Sequence, residues 1–216
     1  MPRTVRFASN DWAVKAGRGL GPGPDDWSDD PRSLWVDDAG LHLRIRRDGD
    51  RWLCAEATAG AVARFGPQGF RIATPLDRLD PNVILGLFLY RDDDREIDIE
   101  FARWGDPAAA NAQYVVQPAL PGRIHRFPWS GPGPSVHRID WGPGSVAFGS
   151  GPDRRDPPGE RPSPGEEWIY SGGPIPPESA GLRIHINLWL FRGRPPADGR
   201  EVEVVVSAIE APPAAG

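Results

Sequence analysis

The sequence predicts an all-β protein, a β-sandwich or jelly roll of two antiparallel sheets around one core. Three observations carry that expectation. Apolar and polar residues alternate in short runs, as in Leu41-His42-Leu43-Arg44-Ile45-Arg46 and Val202-Glu203-Val204-Val205-Val206, and a period of two marks a half-buried strand. Glycine and proline, 26 each in 216 residues, make up about 24% of the chain, roughly twice the average, which suits many turns. Nine Trp, eight Phe and three Tyr supply the core that a disordered chain lacks.

Taken in order, Gly17 to Pro24 reads as a Gly/Pro-rich loop leading into the acidic stretch Asp25 to Asp30. Strands are expected at 41–46, 51–57, 69–75, 83–90, 95–101, 112–117, 136–141, 145–149, 182–191 and 202–206, separated by turn residues. Only Pro107 to Gln113 would start a helix, and a short one. Gly149 to Gly165 holds five prolines and many charges and reads as a mobile excursion. No repeat divides the chain, so residues 1–210 are expected to form one domain and 211–216 a C-terminal tail.

Composition also excludes. The formal net charge is −5 with no basic block, which argues against a nucleic-acid partner. No apolar run reaches the length of a membrane-spanning helix, and a monomer is expected. Cys54 is the single cysteine, so neither an internal disulfide nor a thiolate metal cluster is expected. The segment MPRTVRFASNDW lacks an apolar export core, the pattern of a cytoplasmic protein if Met1 is the native start. Motifs of nucleophile-elbow hydrolases, phosphate loops, zinc peptidases and dinucleotide binders are all missing.

The chemistry concentrates in Arg95-Glu96-Ile97-Asp98-Ile99-Glu100-Phe101. On a strand, Glu96, Asp98 and Glu100 share one face, while Ile97, Ile99 and Phe101 occupy the other and bury into the core. Three acids on one face repel unless some are protonated or paired. Two carboxyl groups, one ionised and one protonated, are the apparatus of glycoside hydrolysis, with Asp98 sharing a proton between them. Alternatives are a solvated edge strand and a calcium site. The EF-hand spacing is missing, no metal ligand is assigned, and no cofactor is required.

Glu96-Ile97-Asp98-Ile99-Glu100-Phe101 resembles the signature of glycoside hydrolase family 16 in its lichenase and xyloglucan-transglycosylase form. The resemblance implies that Glu96 is the nucleophile, Glu100 the acid/base and Asp98 their assistant. It places the chain in the branch whose strand has no inserted residue. Further segments agree in order over roughly residues 33 to 210. Phe88-Leu89-Tyr90 is similar to a strand whose two rings face the cleft. Trp52-Leu53-Cys54-Ala55-Glu56 is similar to one whose Glu binds a sugar hydroxyl, and Ile139-Asp140-Trp141-Gly142-Pro143-Gly144 to a structural strand and turn. Ile186-Asn187-Leu188-Trp189 is similar to a strand whose Asn and Trp line the cleft. The implied fold is a concanavalin A-like jelly roll with a concave groove. The implied activity is retaining endo-hydrolysis of a polysaccharide, a β-1,3/β-1,4-glucan first. A non-catalytic lectin-like domain and a xyloglucan-type transglycosylase are the alternatives. Family members of this kind are mostly secreted.

The chain departs from the pattern in places. Only Arg91 to Arg95 separates Tyr90 from Glu96, without a Trp. Val115 and Gln117 stand where Asn and Tyr are usual, Thr58 replaces an Arg, and the usual calcium-binding Asp of the last strand is not found. The expected substrate-binding set is Glu56, Phe88, Tyr90, Trp104, Gln113, Gln117, Asn187 and Trp189. The remaining Trp residues are expected in the core or on turns, and the four His as structural or surface groups. Cys54 reads as a small hydrophobe beneath Glu56, and Asp92 to Asp94 as a solvated turn that raises the pKa of the acid/base. Arg44 or Arg46 is a candidate neighbour of the groove.

Overall fold

The computed structural model describes residues 2–153 and 165–212. Apart from two single-turn 3-10 helices, Glu178–Ala180 and Phe191–Gly193, the regular structure of these residues is β. The first sheet runs Thr4–Phe7, Asn10–Val14, Arg51–Val62, Arg183–Leu190, Val83–Asp92, Arg95–Phe101, Ala112–Val116, Ile124–Phe127, antiparallel throughout. The second runs Leu34–Asp37, Gly40–Asp48, Val202–Glu210, Gly66–Ile72, Ser135–Trp141, Val146–Pro152, Glu166–Tyr170. Together they form the expected antiparallel jelly-roll sandwich.

One long hairpin joins the sheets. Leu41 to Ile45 pairs with Val202–Glu210 in the second sheet. Arg46 to Asp48 then turns back along Arg51 to Leu53, and Ala55 onward pairs with Arg183–Leu190 in the first. Two short strands, Gly17–Leu20 and Asp25–Trp27, attach at this corner, the second by a parallel pairing of Asp26 and Trp27 with Leu53 and Cys54.

The core lies between the sheets. Leu85, Leu87, Leu89, Ile97, Ile99 and Ile186 from the first sheet meet Leu41, Leu43, Ile45, Phe70, Val204 and Val206 from the second, all buried. Each such side chain contributes about 1.5–3 kcal/mol of transfer free energy. The alternation that points Ile97 and Ile99 inward leaves the acids on the outer face of the first sheet.

Several expectations shift. The strand placed at 69–75 is Gly66–Ile72, because Gly66-Pro67-Gln68-Gly69 pairs with Arg138 to Trp141 despite its turn-like composition. No helix starts at Pro107; turns lead directly into Ala112–Val116. The Gly17 to Asp30 region holds two strands, and the strand before the proline-rich stretch runs on to Pro152; 154–164 of that stretch, and 213–216 of the expected tail, lie outside the described residues. The strands at 4–7, 10–14, 34–37, 124–127 and 166–170 were not expected. Their runs are short and only their pairing partners make them regular. Trp12, Trp27, Trp129 and Trp141 are buried as expected, whereas Trp35, Trp52 and Trp168 are half-buried.

Ile99→Ala, which opens a void at a fully buried position, is expected to destabilise the fold by about 2–5 kcal/mol in urea unfolding.

Candidate active site

Cross-strand pairing builds the site in rows. Glu100 lies opposite Gly86 and Gln113, Gly86 opposite Asn187, and Asn187 opposite Glu56. Asp98 lies opposite Phe88 and Val115, Phe88 opposite His185, and His185 opposite Thr58. Glu96 lies opposite Tyr90. Directly opposed residues share a face, so residues far apart in sequence meet on one surface. Pairing is unbroken from Glu96 to Phe101; the irregularity falls just before, between Arg95 and Glu96. The strand therefore has no inserted residue, and all three acids face the same way.

A cavity of about 650 Å³ sits on this surface. Glu96, Asp98 and Glu100 line it together with Glu56, Phe88, Tyr90, Trp104, Gln117, Asn187 and Trp189. Gln113 alone of the expected residues stands off the lining, buried beside Glu100. Gly86 leaves the floor open next to Glu100. Its N–H donates to Asn187 Oδ1 at 3.1 Å, and a Cβ there would meet the same oxygen at 2.5 Å.

Burial sets the electrostatics. Asp98 is 3% exposed, and desolvation first, then the charges of Glu96 and Glu100, push its pKa well above the ordinary carboxylate range. Asp98 and Glu96 interact through a side-chain hydrogen bond that raises the pKa of the first and lowers that of the second. Glu96 is pushed up to about 7 by burial, against that hydrogen bond. Gln117 Nε2 donates to Asp98 Oδ2 at 3.3 Å. Glu100 is also raised by burial, opposed by Gln113 and by the positive charge of Arg126. The amide of Gln113 has a set orientation. Arg126, a donor only, holds Oε1 at 2.6 Å, so Nε2 faces Glu100 Oε2 at 2.5 Å. Asp93 accepts from the Tyr90 hydroxyl at 3.0 Å and raises Glu96, the expected nucleophile, instead of the acid/base.

Glu56 is buried, yet its carboxyl lies below the usual range. Burial, the largest effect, raises it, but His185 Nδ1 at 3.1 Å and Lys15 Nζ at 2.8 Å outweigh that. His185 also meets Phe88 at a tilt and Tyr90 edge-to-face. Sequence reading missed His185 and Lys15 as cleft residues, and placed Asp93 beside the groove without its bond to Tyr90. For His185 the signal was its place two residues before Asn187, on the same face of one strand. His42 and His125 stand elsewhere, paired with Glu203 and Glu166, and His137 is buried between Ser135 and Ser150. Arg44 and Arg46 lie away from the groove, bonded to Glu203 and to Ser33. Cys54 is buried, and its neighbour Asp25 is pushed up to about 7 by burial.

At the upper edge Trp104 crosses Trp189 and Phe191 edge-to-face, with ring centroids 6.2 and 5.6 Å apart. Trp104 has φ +54° and an indole N–H buried without a partner. A bulky side chain at positive φ is strained, and an orphan buried donor is a further cost. Both fall on one residue of the cleft rim, where such strain commonly concentrates.

The fold is that of the family 16 glycosyl hydrolases, lichenase-like. No protein-family model and no curated protein matches the chain. A β-1,3-glucanase from Mycobacterium marinum superposes with a TM-score of 0.68 at 18% identity, covering 92% of this chain and 89% of its own. A family 16 glycosyl hydrolase from Mycobacterium smegmatis gives 0.68 at 19%, covering 95% and 93%. A pseudo β-1,3-glucanase and immunostimulatory antigen of Mycobacterium tuberculosis gives 0.67 at 21%, covering 92% and 89%.

Two outcomes test these electrostatics. The Glu96 pKa lies higher folded than its ordinary 4.5, so its contribution to stability is full below about 4.5 and lost as pH rises through about 7. Glu96→Gln is expected to unfold at a higher temperature than wild type at pH 8, the gap closing below pH 5. Arg126→Met is expected to raise the pH at which Glu100 titrates, read by carboxyl ¹³C NMR, with Arg126→Lys restoring part of the shift.

Proposed function

We propose that the protein is a retaining endo-β-glycosidase that cleaves a polysaccharide, with β-1,3- or β-1,3/1,4-linked glucan as substrate. The observation that carries this reading is the unbroken register that sets Glu96, Asp98 and Glu100 on one face of the cleft. Glu96 attacks the anomeric carbon, forming a glycosyl-enzyme ester as the glycosidic C–O bond breaks. Glu100 gives its proton to the leaving oxygen. It then takes a proton from the water that hydrolyses the ester, and Glu96 leaves as carboxylate. Asp98 stabilises the ionised Glu96 by its hydrogen bond and returns that bond when the ester is released. Phe88, Tyr90, Trp104 and Trp189 offer apolar faces to pyranose rings, and Glu56, Asn187 and Gln117 accept or donate to hydroxyl groups. Gln113 acts behind Glu100.

The substrate class rests on the neighbours' names as β-glucanases. One neighbour is called a pseudo-glucanase, which favours a second reading, a lectin-like domain that binds the same chain without cleaving it.

Reducing-end release from a panel of soluble β-glucans, xyloglucan and galactan decides between them. Wild type is expected to release sugar, and Glu96→Gln to lose roughly 10³-fold or more of kcat while remaining folded. Equal activity in the two proteins overturns the assignment of Glu96; binding without release by wild type favours the lectin. For wild type the acid limb of kcat/KM is expected well above pH 4.5, toward about 7, because Glu96 must ionise to attack.

A further inference from the structure

The chain has 25 basic residues, and Lys15 is its one lysine. That lysine stands on the cleft wall. Its ammonium group donates to Glu56 Oε2 at 2.8 Å and to the Gly21 carbonyl at 2.6 Å, and lies 4.1 Å from the centre of the Trp27 ring. Three partners in three directions suit a compact ammonium with three donors; the flat guanidinium fork does not fit them.

The second partner matters most. Gly21 and Pro22 wall the cavity at its Glu56 end, yet the loop that carries them is thinly held. Gly17–Leu20 pairs with Asp25–Trp27 only at Gly17 with Trp27 and Leu20 with Asp25. Its other hydrogen bonds are Trp27 Nε1 to the Leu20 carbonyl at 2.9 Å and the Gly19 N–H to Asp26 Oδ1 at 3.2 Å, while Gly23 and Pro24 lie against Trp189 and Gly193. Leu20 itself is 42% exposed. Glu56, by contrast, is anchored in the middle of a sheet strand. Lys15 therefore ties the rigid floor at Glu56 to the wall at Gly21.

We infer that Lys15 is a positioning residue that closes the Glu56 end of the cleft, pinning the Gly17–Pro24 loop to Glu56 and so limiting how many sugar units bind on that side. The length effect rests on the glycosidase reading; the hold on the loop does not. Without Lys15 the Gly21 carbonyl loses its partner, Glu56 keeps only His185, and the wall opens. Longer stretches of chain then fit at that end, and short oligosaccharides lose a contact made equally in ground and transition states.

The test compares wild type, Lys15→Met and, as a charge control, Lys15→Arg, each first shown to be folded by its thermal unfolding transition. Trypsin cleaves after Arg18, inside the loop. Cleavage at the Arg18–Gly19 bond, followed by mass spectrometry, is expected to be roughly tenfold faster in Lys15→Met, as the loss of one or two hydrogen bonds predicts. Lys15→Arg should lie nearer Lys15→Met than wild type. On the glucan that wild type cleaves, Lys15→Met is expected to shift the product ladder to longer oligosaccharides and to raise KM for short ones, with kcat changed less than about twofold. Arg18 cleavage at the wild-type rate overturns the hold on the loop. Faster cleavage with an unchanged ladder overturns the limit on chain length. If wild type cleaves no β-glucan, the glycosidase reading fails, and Arg18 cleavage still decides whether Lys15 holds the loop.

Discussion

Like charges placed side by side and removed from water cannot all stay charged, and the cleft of this protein is organised around that constraint. Glu96, Asp98 and Glu100 alternate with Ile97 and Ile99 on one strand, so the packing that holds the strand in the core also presses the acids together. The relief is specific to each. Asp98, the most deeply buried, is pushed furthest toward its neutral form, and its hydrogen bond favours the charge on Glu96. Gln117 supports Asp98, and Gln113, oriented by Arg126, supports Glu100. The arrangement leaves three carboxyl groups of one residue class in three different protonation environments, the condition under which neighbouring acids take different roles.

The sheet supplies what the strand cannot. Because opposed residues share a face, Tyr90, Phe88 and Gly86 are delivered beside Glu96, Asp98 and Glu100, and His185 and Asn187 one strand further on. Size matters at Gly86, since a side chain there would strike Asn187. The second sheet contributes no cleft residue, but its apolar face covers Ile97 and Ile99, without which the acids would have no fixed direction.

Much of this was legible in the sequence. Strict alternation placed the long strands, and the acid strand together with the Phe88, Glu56 and Asn187 segments identified the cleft. What could not be read has physical causes. The short edge strands, such as Thr4–Phe7 and Ile124–Phe127, are four residues each, too short for alternation to mark them, and become regular through their partners. Gly66-Pro67-Gln68-Gly69 carries turn residues but is held extended by Ser135–Trp141. Lys15, just after a strand, and His185, on another, enter the site from distant parts of the sequence, and no local pattern announces a contact between residues 15, 56 and 185. Gln113 was placed on the right strand, but its partner Arg126 depends on pairing with Ile124–Phe127.

The order of strands in the first sheet also bears on how the molecule comes together. Arg183–Leu190 inserts between Arg51–Val62 and Val83–Asp92, so the centre of the cleft sheet is closed by a segment about 90 residues or more further along the sequence than either neighbour. Until it arrives, Glu56 on one side and Gly86 on the other have no common neighbour, and two strands present open edges. Contacts of such wide sequence separation make for slow folding, and open strand edges invite association with other chains in the meantime. A nascent chain stopped before residue 183 would carry all three acids and no assembled cleft.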